Sequence, residues 1–203
     1  MKNAIILILI TICMQNASGQ VIKNKQLYLG TDFNIGNYKG FDIHLNYVLP
    51  NRYTLKMGYT GNLRKPLSQP DDYQSGLIDV FLLGLSRPFD QMETYQLGFG
   101  KILPFNHQKN IRAHLSVGIG YTITKEPHNW QRDGGGWGSG NYTWDYNKYR
   151  SFSFVINPRI EFPFTRIYGL SISPMVQISK NRTYYGIGIG QMIGKLKEKK
   201  SVE

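Results

Sequence analysis

Between Ile111 and Thr124 the chain alternates without a slip. Ile111, Ala113, Leu115, Val117, Ile119, Tyr121 and Ile123 are apolar, while Arg112, His114, Ser116, Gly118, Gly120, Thr122 and Thr124 are polar or tiny. Successive side chains of a strand point to opposite faces, so this segment has one greasy face and one wet or small face. About 9–11 tilted residues cross the hydrocarbon of a bilayer, and a strand this long with an unbroken apolar face suits the wall of a membrane barrel.

Seven other stretches repeat the pattern. Leu27, Leu29, Phe33 and Ile35 oppose Tyr28, Gly30, Asp32 and Asn34. Phe41, Ile43, Leu45, Tyr47 and Leu49 oppose Asp42, His44 and Asn46, and Tyr53, Leu55, Met57 and Tyr59 oppose Thr54, Lys56, Gly58 and Thr60. The same alternation runs through Tyr95 to Phe99, Phe152 to Ile160, Leu170 to Ile178 and Tyr185 to Ile189. The segment Gly76 to Leu85 breaks it, with apolar residues on both faces. There Leu77, Phe81 and Leu85 align at helical spacing behind Ser75, a good N-cap.

Bacterial single-chain barrels have an even strand number, short periplasmic turns and longer outer loops. Eight strands put the glycine-rich stretch from about Lys125 to Tyr149 outside and the terminal lysines in the periplasm. A ninth would reverse one of them. The stretch Arg64 to Met92 then reads as a long outer loop carrying the helix. Pro50-Asn51, Pro104-Phe105-Asn106 and Pro163-Phe164-Thr165 each follow an apolar strand end and fall on the periplasmic side, where proline stops a ladder. The predicted fold is all-β: an eight-stranded antiparallel up-and-down transmembrane β-barrel, with a short helix in the second outer loop.

Composition adds location. Lys2, the apolar run Ala4 to Ile12 and the small residues Ala17-Ser18-Gly19 read as a secretory signal peptide over 1–19, leaving a barrel over 20–196 and a charged periplasmic tail over 197–203. Cys13 is the one cysteine, so cleavage after Gly19 removes any disulfide. Mean hydropathy is negative and no later apolar run could form a spanning helix, but alternation hides a barrel from such averages. The formal charge of +11 falls to +10 without Lys2. No zinc-ligand pattern or nucleic-acid motif accompanies it, so no nucleic acid is expected as a partner. The basic tail Lys195, Lys197, Lys199 and Lys200 reads as a solvated segment with affinity for anionic headgroups.

With its signal segment, its alternating strands and a closing strand Tyr184-Tyr185-Gly186-Ile187-Gly188-Ile189-Gly190, the chain resembles small outer-membrane β-barrel proteins of Gram-negative bacteria, in the loose sense of the OmpA/OmpX-like class. The resemblance spans the mature chain. It implies an outer-membrane location, with outer-membrane lipid, lipopolysaccharide and the barrel-assembly machinery as partners. Such proteins often end on an aromatic residue of the last strand, whereas here a charged tail from Lys195 to Glu203 follows.

Candidate chemistry falls in two places. The polar face carries Asp32, Asp42 and Glu161 against Lys56, Arg112 and Arg159, with His44 and His114 between them. An eight-stranded lumen is just wide enough for side chains to fill, and charges trapped there must pair. An internal ion-pair network is therefore expected; the sharper alternatives are a narrow ion path or a metal held by Asp42, His44 and His114. The outer glycine-rich stretch holds Trp130, Arg132, Trp137, Tyr142 and Trp144, which could stack on a sugar or surface ligand or simply sit at the interface. Acyl-transfer chemistry on lipid A needs a serine activated by a histidine. No Gly-x-Ser-x-Gly elbow occurs, and His128 with Ser139 is the one pairing at the correct end. The expectation is a non-enzymatic envelope-structural or surface-loop binding and adhesion role, without catalytic residues, cofactor or metal. The alternatives are a lipid A-modifying enzyme and a soluble lipocalin-like carrier, whose apolar positions would instead line the lumen.

Overall fold

A computed structural model describes residues 25–81, 87–105, 110–134 and 140–197, and the signal segment read from the sequence lies outside them. In chain order the elements are β1 (Gln26–Gly36), β2 (Lys39–Val48), β3 (Tyr53–Arg64), α1 (Leu77–Phe81), β4 (Asp90–Pro104), β5 (Arg112–Arg132), β6 (Tyr142–Ile156), β7 (Arg159–Pro163), β8 (Tyr168–Ser179) and β9 (Thr183–Gly194). All pairings are antiparallel. The sheet closes on itself because β1 pairs with β9 (Phe33 opposite Ile189) and β4 with β5 (Leu97 opposite Ile119).

Nine strands are present where the alternation predicts eight, and β6 with β7 accounts for the difference. Opposite β5, Val117 faces Ile156 and Ala113 faces Ile160, four residues further on each side, so the register never slips. Opposite β8, Ile156 faces Val176 and Ile160 faces Ile172, again in one register. β6 and β7 are thus one stave, interrupted at Asn157-Pro158. That register sets Pro158 level with Pro174, and neither residue can donate to a ladder. Asn157 bridges the gap: its backbone N–H donates to Ser116 (2.9 Å) and its side-chain amide to the Pro174 carbonyl (3.0 Å).

The two faces sort as the alternation predicts. Inward positions are even through β1 to β5, odd from β6 to β8, and even again in β9. The outside is a continuous apolar wall: Met57 is 60% exposed and Ile119 63%, whereas Arg159 and Glu161 inside are 2% and 0% exposed. A water-soluble carrier would show the reverse.

One expectation about the far end of the barrel is corrected. The stretch from about Lys125 to Tyr149 is mostly strand, not loop. β5 runs on to Arg132 and β6 starts at Tyr142, so their hairpin projects past the apolar wall, with a register shift between His128 and Gln131. Both of its faces meet water, so no alternation marks it. In the stretch between β3 and β4 the described helical residues are the five of α1.

Candidate functional site

The lumen is built in layers along the axis. At the end that holds the chain termini Tyr28, Val48, Ile102, Met192 and Leu196 form a buried apolar cluster, and at the end nearer the β5–β6 hairpin Tyr38, Met92, Val155, Met175 and Tyr184 form another. Arg64 lies over the Tyr38 ring (4.4 Å) and pairs with Asp90 (2.9 Å), which tightens the seal at the hairpin end.

Between the seals the charges are paired and hydrogen-bonded, as burial in low dielectric requires. Nearest the chain termini, Glu161 accepts from Arg112 Nε (2.6 Å), Tyr28 Oη (2.7 Å) and His114 Nδ1 (3.2 Å). Arg112 also donates to the Leu196 carbonyl (2.9 Å) and so ties the chain after β9 to the wall. Above it, Arg159 donates to Asp32 (2.7 Å) and to His44 Nε2. Asp32 accepts further bonds from Ser171 (3.0 Å) and Ser173 (3.2 Å). Lys56 joins Asp42 (3.3 Å) to Asn157 Oδ1 (2.9 Å). A neutral layer follows, in which Gln177 Nε2 donates to Thr94 (2.7 Å) and Thr122 (2.9 Å).

The two histidines play the same part in different layers. An arginine can only donate, so His44 accepts at Nε2 and its Nδ1–H points to Asp42 (3.3 Å). His114 likewise sits between Glu161 at Nδ1 and the Thr54 hydroxyl at Nε2 (2.7 Å). The metal alternative built on Asp42, His44 and His114 is therefore not assembled, since His114 belongs to the Glu161 layer. Asp32, Asp42 and His44 do bring ligand atoms within 4.8 Å of one another. Arg159 and Lys56 already use those atoms.

Outside the wall, the structure brings together four of the five aromatic and basic residues singled out in the sequence. Trp130 and Trp144 lie 5.6 Å apart, and Tyr142 stands 6.3 Å from Trp130. Arg132 pairs across 3.5 Å with Asp72. Trp137 lies outside the described residues, as does Ser139, so the pairing with His128 does as well. The sequence reading missed the centre of the cluster. Tyr73, from the stretch between β3 and β4, lies 5.8 Å from Trp130, 6.3 Å from Trp144 and 6.5 Å from Tyr142. Asp71-Asp72-Tyr73 behind Pro70 was the available signal: a turn carrying an aromatic residue beside two acids.

Polar contacts fasten that stretch to the hairpin. Trp130 Nε1 donates to Ser68 (3.1 Å), whose hydroxyl donates to the Pro127 carbonyl (2.7 Å). Asn141 donates to the Asp72 carbonyl (2.8 Å) and accepts from the Gln74 N–H (2.7 Å). Tyr142 donates to Asp72 (2.7 Å), and this bond to a carboxylate pushes its phenol above the usual range. The rings are half-buried against one another and form a clasp.

No family model matches the chain, and no curated protein matches it in sequence. Solved structures do. A major outer membrane protein from Thermus thermophilus superposes with a TM-score of 0.61 at 10% identity, covering 84% of this chain and 99% of that one. This is the fold of an outer-membrane barrel. Ail, the attachment invasion locus protein of Yersinia pestis, superposes at 0.49 with 9% identity, over 85% of this chain and 97% of that one. The N-terminal β-barrel domain of Pseudomonas aeruginosa OprF gives 0.49 and 12%, over 85% and 98%. At such identities the likeness is one of fold alone.

Proposed function

We propose that the chain is an eight-staved barrel of the bacterial outer membrane, non-enzymatic and closed to bulk flow, that presents a braced hairpin above the membrane for an envelope-structural or surface-binding role. The inside-out distribution of side chains carries this reading: large apolar residues cover the outside of a closed sheet, and the ionic residues are sealed within. Hydrocarbon cannot satisfy an open strand edge, and pairing β1 with β9 removes it. The two apolar seals and the paired charges between them leave the lumen filled, in keeping with a barrel this narrow.

The hairpin supports the surface role. Its rings are committed to holding the stretch between β3 and β4, so a partner would meet the outer rim of the clasp (Arg132, Asp72, Tyr146) rather than open tryptophan faces. The deciding experiment is refolding of the mature chain with and without lipid bilayers, followed on gels with and without boiling. A faster-migrating unboiled form that requires bilayer or detergent is expected. A monodisperse protein soluble without either would refute the membrane reading. Lipid A from strains with and without the protein should carry the same acyl chains, and a changed acylation pattern would reinstate the enzyme.

A further inference from the structure

The stretch between β3 and β4 divides its polar side chains between two surfaces. Ser68 donates to the Pro127 carbonyl (2.7 Å) and Asp72 accepts from Tyr142 (2.7 Å), so both are spent on the hairpin. Lys65, Gln69 and Ser75 differ. Among the described residues their side chains have no hydrogen-bond or ion-pair partner, and all three line one cavity of about 280 Å³. The cavity sits at the foot of the stretch: Lys65 follows Arg64 and Phe89 precedes Asp90, which face each other across the last rung of β3 and β4. Arg87 lines it too, as does Tyr73, whose ring also meets the three rings of the clasp.

Small-molecule sites join ring or aliphatic surface to a few convergent polar groups, and drug-sized ligands occupy about 300–1,000 Å³. This cavity falls at the bottom of that range, which suits a single ring. Its charge is cationic, since among the described residues no Asp or Glu lines it. Buried Asp79 accepts from Arg87 Nε and offsets that charge, while the two terminal nitrogens of Arg87 have no partner among the described residues. The surplus is then one positive charge, that of Lys65. A guanidinium with both terminal nitrogens free takes a carboxylate through two parallel N–H···O bonds. The lining therefore asks for one carboxylate, for hydroxyls to meet Gln69, Ser75 and the Tyr73 phenol, and for an apolar face to lie on the Phe89 and Tyr73 rings. An aliphatic or mineral anion leaves those neutral groups unpaired, which costs affinity. A pyranose bearing one carboxyl group meets all three demands.

We infer that this cavity binds an acidic sugar, one ring with one carboxylate, at the end of a glycan. Lys65 and Arg87 hold the carboxylate, Gln69 and Ser75 bond the ring hydroxyls, and Phe89 packs on the C–H face. The inference deepens the surface-binding reading and rests on it.

The test uses the full mature chain in detergent, with the gel shift as a separate check of folding, and methyl β-glucuronide as the probe in titration calorimetry. Wild type should bind the glucuronide and not methyl β-glucoside, which has a hydroxymethyl group in place of the carboxylate. Lys65→Gln should weaken binding roughly tenfold, as for a lost hydrogen bond to a charged group, and Gln69→Ala roughly threefold, as for a neutral one. Lys65→Arg should bind as wild type does, and all three variants should keep the gel shift. Equal affinity for the glucoside, or for acetate, would overturn the site, because charge and ring must both be read. Unchanged affinity in Lys65→Gln and Gln69→Ala would overturn it as well. Beads carrying the glucuronide through its glycosidic oxygen should capture both purified protein and cells that display it, and failure to hold the purified protein would rule out a glycan end. Capture of purified protein but not of cells would leave the sugar site standing and defeat the surface reading beneath it.

Discussion

At the scale of single residues the lumen is a set of obligations. Arg159 serves Asp32 and His44 at once, and removing it strands a buried carboxylate. Arg159→Met should cost about 3–5 kcal/mol, read as a lower urea midpoint for the folded barrel in lipid. Pairing it with Asp32→Asn should recover about 1–3 kcal/mol of that loss, because the two sites share one interaction; strict additivity would show that the pair is not coupled. Gly30 sets a steric condition on the same layer. A Cβ there would lie 2.2 Å from His44 Nε2, and the ring cannot swing away without leaving Arg159 and Asp42. Gly30→Ala should therefore destabilise by about 1–3 kcal/mol, and an unchanged midpoint would mean that His44 is free to move. Much of this was legible beforehand. Alternation alone puts Asp32, Asp42, Lys56, Arg112, Arg159 and Glu161 inside. It could not say who pairs with whom, because partners such as Tyr28 and Glu161 are 133 residues apart and meet only once the staves are in register.

At the scale of elements, the staves that touch the apolar wall were readable and the parts beyond it were not. Period two marks a strand only where its faces meet different surroundings, and Glu126 to Arg132 and Tyr142 to Arg150 have water on both sides. The hairpin is held instead by pairs of rings whose meeting depends on a distant turn, so Trp130, Tyr142 and Trp144 could be named, whereas Tyr73 was marked only by the turn that carries it and its place among them was not legible. Each ring pair is worth about 0.5–1.5 kcal/mol, and Tyr73 makes three of them. Tyr73→Ala should release the stretch between β3 and β4 to limited proteolysis and flatten the near-ultraviolet circular dichroism of the tryptophans. The urea midpoint of the barrel should stay within about 0.5 kcal/mol of wild type, as for changes remote from the core. A large fall in that midpoint would mean that the clasp braces the wall itself.

For the whole molecule, closure and filling go together. A narrow ring leaves its centre to side chains, and here those side chains form two apolar caps around paired charges. Planar bilayers containing the protein should show no steady open current, and Glu161→Gln alone should not create one because both caps remain. A stable large conductance from wild type would refute the filled lumen. The sequence foretold eight staves, and the ladder breaks one of them where Pro158 stands level with Pro174. In the hydrophobic interior of a bilayer, missing amide donors have no solvent to replace them, and on the β8 side the Asn157 carboxamide stitches the gap to the Pro174 carbonyl while Ser116 holds the Asn157 backbone on the β5 side. The cylinder consequently carries a predetermined tear line. Deuterium should enter first through the amides flanking it, and during insertion it is the natural place for the curling sheet to hinge before its first and last staves meet.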